Sequence, residues 1–209
     1  MADILFDVDG VLVHGIHAKP AFSRFWDEHL EADFGISRTD FRDQFIHKAF
    51  VSEVLTGRLT LFNALRQVLP TIGYGGDPQD LIDYWMERDA VPTPGLLPYI
   101  ERLHASPTVR LFIATNQESV RASYLMNVMG LGRYFQGIFS SARLGVLKPD
   151  LQFFERIETL LDRPGEKPTF FDDRQEVVDA ARSAGWDAHQ FDTPEDVRKS
   201  MIVTSVLSE

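Results

Sequence analysis

A short apolar run near the N-terminus, Ile4-Leu5-Phe6, leads through Asp7-Val8-Asp9 into Gly10. So apolar a run belongs inside a sheet, yet it delivers two carboxylates to its end. Residues 2–13 therefore read as a buried strand running into a turn at Gly10. The next stretch does not continue the sheet. Within residues 20–34, Phe22, Phe25, Trp26 and Leu30 recur at helical spacing, with Pro20 suited to a first turn and Gly35 to a stop. Ser37 opens a second helix carrying Phe41 and Phe45, and Thr60 a third with Leu61, Leu65 and Val68 on one face. Asp77-Pro78 starts a fourth, with Leu81, Ile82 and Trp85 facing inward.

The stiff break Pro92-Thr93-Pro94-Gly95 ends this helical stretch. Beyond it, candidate strands at 109–114, 137–139, 169–171 and 188–191 alternate with candidate helices near 95–105, 117–129, 150–161, 174–184 and 194–206. Such alternation predicts a Rossmann-like parallel sheet with helices on both faces. The expected organisation is an α/β domain of residues 1–14 and 93–209, interrupted by an all-helical domain of residues 15–92. No internal repeat or low-complexity tract is present.

In an open parallel sheet the C-terminal strand ends lie together, and ligands bind in the crevice beyond them. Four features fall at such ends. Asp7 and Asp9, two apart in an extended segment, project the same way. One carboxylate can attack while the other handles protons, if their environments separate their affinities; the plain alternative is an acidic turn. Ala114-Thr115-Asn116 offers a hydroxyl and helix-start N–H groups to a phosphoryl oxygen, or simply caps a helix. Lys148-Pro149-Asp150 places a lysine that can neutralise a transferring phosphoryl group, or a surface lysine before a turn. Phe170-Phe171-Asp172-Asp173 packs two anions together, which is unfavourable without a cation, and such oxygen ligands suit Mg²⁺. An acidic helix start is the alternative there.

Taken in order, Asp7-x-Asp9-Gly-Val, Thr115, Lys148-Pro and Asp172-Asp173 resemble the four motifs of the haloacid dehalogenase superfamily. The stretch from Val178 to Trp186 is similar to that family's helix after the acidic turn, and the helical insert resembles the cap of its helical-cap (C1) branch. The resemblance implies a Mg²⁺-dependent phosphatase acting on a small phosphate monoester, with a sugar phosphate as the first guess. It makes Asp7 the nucleophile and Asp9 the acid and base. Thr115, Asn116 and Lys148 would bind the phosphoryl group. The metal would be held by Asp7, the main chain at Asp9, and Asp173, with Asp172 close by. One departure stands out: Val177 occupies a position where the family often carries Asp or Asn, so either the metal site is weaker or Glu176 or a water compensates. Within the family, a phosphomutase and a 2-haloacid dehalogenase are the alternatives, the latter disfavoured because halide leaves without a proton from a residue such as Asp9. A non-catalytic phosphometabolite-binding protein is the alternative from another class.

Composition bounds the rest. The chain has 209 residues, no cysteine and a formal charge of -10. Thiolate metal sites and cysteine nucleophiles are excluded, and a nucleic-acid partner is not expected of so acidic a protein. No apolar run approaches membrane-spanning length. Acidic residues at Asp3, Asp7 and Asp9 are unlike a secretory signal, so the expected location is the cytoplasm. His14 and His17 read as partly exposed linker residues that could touch substrate. Phe22, Phe25, Trp26, Phe41, Phe45 and Phe50 could line a substrate pocket but at helical spacing read first as the core of the insert. Lys19, Arg24, Lys48 and Arg58 are cations able to grip a substrate or simply to keep the surface soluble.

Overall fold

In the computed structural model, which describes residues 1–15 and 17–208, five strands form one sheet in the order β3-β2-β1-β4-β5. They are β1 (Ala2–Phe6), β2 (Val109–Thr115), β3 (Gly137–Ser140), β4 (Thr169–Asp172) and β5 (Asp187–Gln190). Every neighbouring pair is parallel. The strand order reverses between β1 and β4, the position where α/β sheets open a crevice. Phe6 pairs in register with Phe171, so Asp7 and Asp172 emerge side by side at that opening.

Two apolar layers cover the sheet. On one face Ile4, Phe6, Leu111, Ile113 and Phe171 pack with α5 (Leu97–Ala105) and α10 (Met201–Ser208). On the other Leu5, Phe112 and Phe170 pack with α8 (Leu151–Leu161) and α9 (Gln175–Ser183). Successive residues of β1 thus feed opposite layers, and both are apolar because both are covered. The run expected at 194–206 is a tight turn at Pro194–Lys199 followed by α10.

The helical stretch has its own apolar cluster, built from residues between Trp26 and Met86. Its start signals act as expected: Ser37, Thr60 and Asp77 each accept a backbone N–H from the first turn of the helix they open, worth about 1 kcal/mol apiece. Those helices are α2 (Arg38–Phe41), which runs on into a wide helical segment Arg42–Val54 kinked at Lys48, then α3 (Leu61–Val68) and α4 (Pro78–Arg88). The first expected helix is broken. Only a turn at Pro20–Phe22 and the short α1 (Leu30–Phe34) form, and Phe22 and Phe25 are exposed. Between them Asp27 is buried under Arg38 and Arg42, an ion-pair arrangement that holds its segment in turns.

The chain leaves and re-enters the sheet layer side by side. Val13 bridges Pro92, His14 N–H donates to the Val91 carbonyl at 2.8 Å, and Thr93 N–H donates to Leu12 at 3.0 Å. No helix among the described residues is long and apolar enough to cross a membrane.

Candidate active site

The end of β1 turns sharply. Val13 N–H donates back to the Val8 carbonyl at 2.8 Å and Gly10 N–H to the Val13 carbonyl at 2.9 Å. Gly10 has a φ of 79°, and a Cβ there would stand 2.5 Å from Asp173 Oδ2. Glycine is required twice over, by conformation and by the closeness of the Asp173 carboxylate just after β4.

Asp7, Asp172 and Asp173 converge behind this turn, each buried, with ligand-capable oxygens within 4.8 Å of one another. Lys148 is buried among them, its Nζ 2.8 Å from Asp7 Oδ1 and 2.6 Å from Asp172 Oδ2. The Lys148 ammonium also donates to the Ala114 carbonyl at 3.1 Å. Burial opposes its charge, but Asp172 and Asp7 outweigh that and push its pKa up. Asp7 is raised to about 7, chiefly by burial, with Lys148 pulling the other way. Asp173 is likewise raised to about 7 by burial and by Asp7. Three carboxylates against one ammonium leave negative charge uncompensated at the sheet end.

Asp172 has both oxygens committed, Oδ2 to Lys148 and Oδ1 to the Arg174 N–H at 3.0 Å. Asn116 spends its amide on the Lys148 main chain: Nδ2 donates to the Lys148 carbonyl at 3.0 Å, and Oδ1 accepts the Lys148 N–H at 2.8 Å. It acts on the lysine rather than reaching out. Thr115 is buried at the end of β2 and lines, with Asp7, Asp9, Lys148 and Asp173, a cavity of about 470 Å³. Phe50, Val51 and Leu55 of the helical stretch close its other side.

Asp9 stands apart from this cluster. Gln117 Nε2 donates to its Oδ2 at 2.6 Å, and Arg121 grips both of its oxygens. Neither partner belongs to a motif legible in the sequence, although Gln117 directly follows Thr115-Asn116 and Arg121 lies in the first turn of α6 (Ser119–Asn127).

Other expectations divide. His17 is buried rather than exposed, its Nδ1 3.8 Å from Asp173 Oδ2, and the Ala18 N–H donates to that same oxygen at 2.6 Å. His14 is an exposed linker residue, as expected. Val177 is a buried residue on the inner face of α9 that also lines the cavity and brings no oxygen to it, and Glu176 is exposed in an ion pair with Arg174. Lys19, Arg24, Lys48 and Arg58 do not line this cavity.

A family model described as haloacid dehalogenase-like hydrolase matches residues 4–185, most of the chain and all four motifs. The chain is a haloacid dehalogenase-like hydrolase.

Solved structures of this hydrolase's relatives agree in fold. A predicted HAD-like family hydrolase from Porphyromonas gingivalis superposes with a TM-score of 0.75 at 21% identity, over 100% of this chain and 98% of that one. A HAD family enzyme from Bacteroides thetaiotaomicron, solved with magnesium and inorganic phosphate, gives 0.67 at 14% identity over 91% and 93%. The L-2-haloacid dehalogenase of Xanthobacter autotrophicus gives 0.62 at 18% over 97% and 83%. In sequence, the hydrolase is 43% identical over 51 residues to a sesquiterpene phosphatase from Aspergillus oryzae. That match spans 24% of this chain and 26%, about a quarter, of the relative.

Proposed function

We propose that this hydrolase is a Mg²⁺-dependent phosphatase that cleaves small phosphate monoesters through a covalent aspartyl-phosphate on Asp7. One observation carries the reading: a buried carboxylate, Asp7, faces Lys148 at 2.8 Å inside a cavity where two further carboxylates converge. The magnesium- and phosphate-bound relative and the phosphatase relative support it.

The donor set fits a divalent cation. Hard oxygen atoms only are offered, their charge exceeds what Lys148 balances, and the burial that raises Asp7 and Asp173 marks both as costly to ionise without one. Asp7, Asp173 and the main-chain carbonyl of Asp9 would hold it, with Asp172 adjacent as the anchor of Lys148. When bound, the cation supplies positive charge against the phosphoryl oxygens.

The residues divide the remaining work. Asp7 attacks phosphorus and the ester oxygen leaves, taking a proton from Asp9. Water then attacks the phosphorus of the aspartyl-phosphate and gives a proton to Asp9; inorganic phosphate departs and Asp7 is restored. Lys148 and Thr115 hold the phosphoryl oxygens, while Asn116 and Asp172 hold Lys148. Residues 15–92 serve as a cap over a core of residues 1–14 and 93–209, joined through the paired connectors at Val13 and Pro92.

Phosphate release from a panel of monoesters, with Mg²⁺ and with EDTA, tests this. Metal-dependent release that disappears in a folded Asp7→Asn variant is the expected result. Full activity in that variant, or halide release from 2-haloacids without added metal, would overturn it.

A further inference from the structure

A second cavity of about 310 Å³ opens beside the catalytic one and shares Asp9, Asn116 and Phe50 with it. The shared residues include the one assigned to protonate the leaving oxygen, so the second cavity lies where a leaving group would extend. Four aromatic residues and Ile46 line it alongside eight polar or charged residues. Trp26 and Trp85 stack with ring centroids 4.4 Å apart, Phe50 tilts against Trp85 at 5.2 Å, and Phe25 and Ile46 complete the apolar part of the lining.

The polar groups in the lining are largely engaged with one another. Asp27 accepts from Arg38 Nε at 2.9 Å and Arg42 Nε at 2.7 Å. Asp89 accepts from Trp85 Nε1 at 3.0 Å and pairs with Arg121 at 3.2 Å. Gln117 and Arg121 are bound to Asp9, and Asn116 to Lys148. His47 stands exposed beside Asp43. A polyol placed here would give up water for walls with few free partners, which disfavours it. An apolar group needs no hydrogen-bond partners and removes its own surface from water against the aromatic side. An apolar cavity of about 150 Å³ accommodates benzene, so this volume suits a group of roughly ten carbons.

Resting on the phosphatase reading, we infer that the substrate is the monophosphate of an apolar alcohol or phenol of about ten carbons, not a sugar phosphate. Aryl and prenyl groups share this chemistry; a flat bicycle and a flexible chain distinguish them.

Two measurements on the whole protein test the inference. The first compares kcat/KM for 1-naphthyl phosphate, geranyl monophosphate, glucose 6-phosphate and glycerol 3-phosphate. At least one apolar ester should exceed both polyol esters by about tenfold or more, and Ile46→Asp, a partly exposed wall position, should collapse that ratio. Equal or faster turnover of the polyol esters overturns the inference. The second titrates the phosphate-free alcohols 1-naphthol and geraniol against the fluorescence of Trp26 and Trp85. Saturable quenching, weakened in Ile46→Asp, supports the cavity's assignment even where no ester is hydrolysed, in which case the phosphatase reading alone falls. Neither turnover nor quenching removes both. Should Ile46→Asp fail to fold, the wild-type ester ranking and titration still separate apolar from polyol substrates.

Discussion

Arg121 closes its guanidinium on Asp9, with Nη2 donating to Oδ1 at 2.9 Å and Nη1 to Oδ2 at 3.1 Å. The same side chain donates to the Asp89 carbonyl at 2.7 Å, just beyond α4. The turn that carries Asp9 is therefore tied through one buried cation to the exit of the helical stretch. A planar fork fixes both oxygens of a carboxylate; an ammonium cannot.

Arg121→Lys should lower kcat about tenfold or more with little change in KM, because Asp9 loses its fixed orientation while the charge stays. An unchanged kcat would show that catalysis releases Asp9 from Arg121 before it acts. Arg121→Met should destabilise the fold by about 3–5 kcal/mol in denaturant titrations, since Asp9 and Asp89 lose their partner.

Lys148 and Asp172 should behave as a unit. Asp172 has no solvent exposure and Lys148 is 5% exposed, so Lys148→Met strands an anion in the core and should cost about 3–5 kcal/mol. Asp172→Asn removes that penalty, and a double-mutant cycle should show coupling of at least about 1 kcal/mol. Additive losses would mean that the two side chains fold independently of their contact.

Two glycines carry opposite parts of the architecture. Gly10→Ala meets both a φ of 79° and Asp173 Oδ2 at 2.5 Å, so it should abolish turnover and any stabilisation by added Mg²⁺. Gly57 has a φ of 72°, and a Cβ there would overlap the Ala142 carbonyl, next to the contact in which Ser141 Oγ donates to Leu55 at 2.7 Å. Gly57→Ala should therefore cost about 1–3 kcal/mol and loosen the helical stretch from the sheet layer. Thermal unfolding together with proteolysis across residues 15–92 measures both effects; an unchanged cleavage pattern would dispose of the second.

Whether a feature is legible in the chain depends on how local its cause is. The strands and most helices announce themselves through period and caps, which are local: Thr60, Asp77 and Asp150 each accept a first-turn N–H. The converging carboxylates are legible because parallel strands bring their ends together. Arg121, Gln117 and the burial of His17 are not, because they depend on how α6 and the turn after Gly10 dock on the sheet. The aromatic residues of the insert show the same limit. Phe41 and Phe45 are its core, as helical spacing implies; Trp26 and Phe50 pack in that same cluster but, with Phe25, also face a cavity that exists only once the insert packs over the sheet. Spacing cannot separate those two faces.

Asp89 yields a prediction in pH. Burial raises its carboxyl from the ordinary 3.8 to about 6, against the pull of Arg121. The folded protein therefore holds this proton more tightly than the unfolded chain does. That contribution to stability is complete below about pH 4 and is lost as pH rises through about 6. An amide in its place carries no such proton, so the stability of wild type relative to Asp89→Asn should fall between about pH 4 and about pH 7 and then level off. The drop should be no more than about 3 kcal/mol at about 1.4 kcal/mol per pKa unit. Other titrating groups are common to both proteins and largely cancel in the difference. Denaturant titrations at half-unit pH steps measure it. A difference that instead grows with pH would mean that the Arg121 ion pair outweighs burial and that Asp89 is held as a carboxylate throughout.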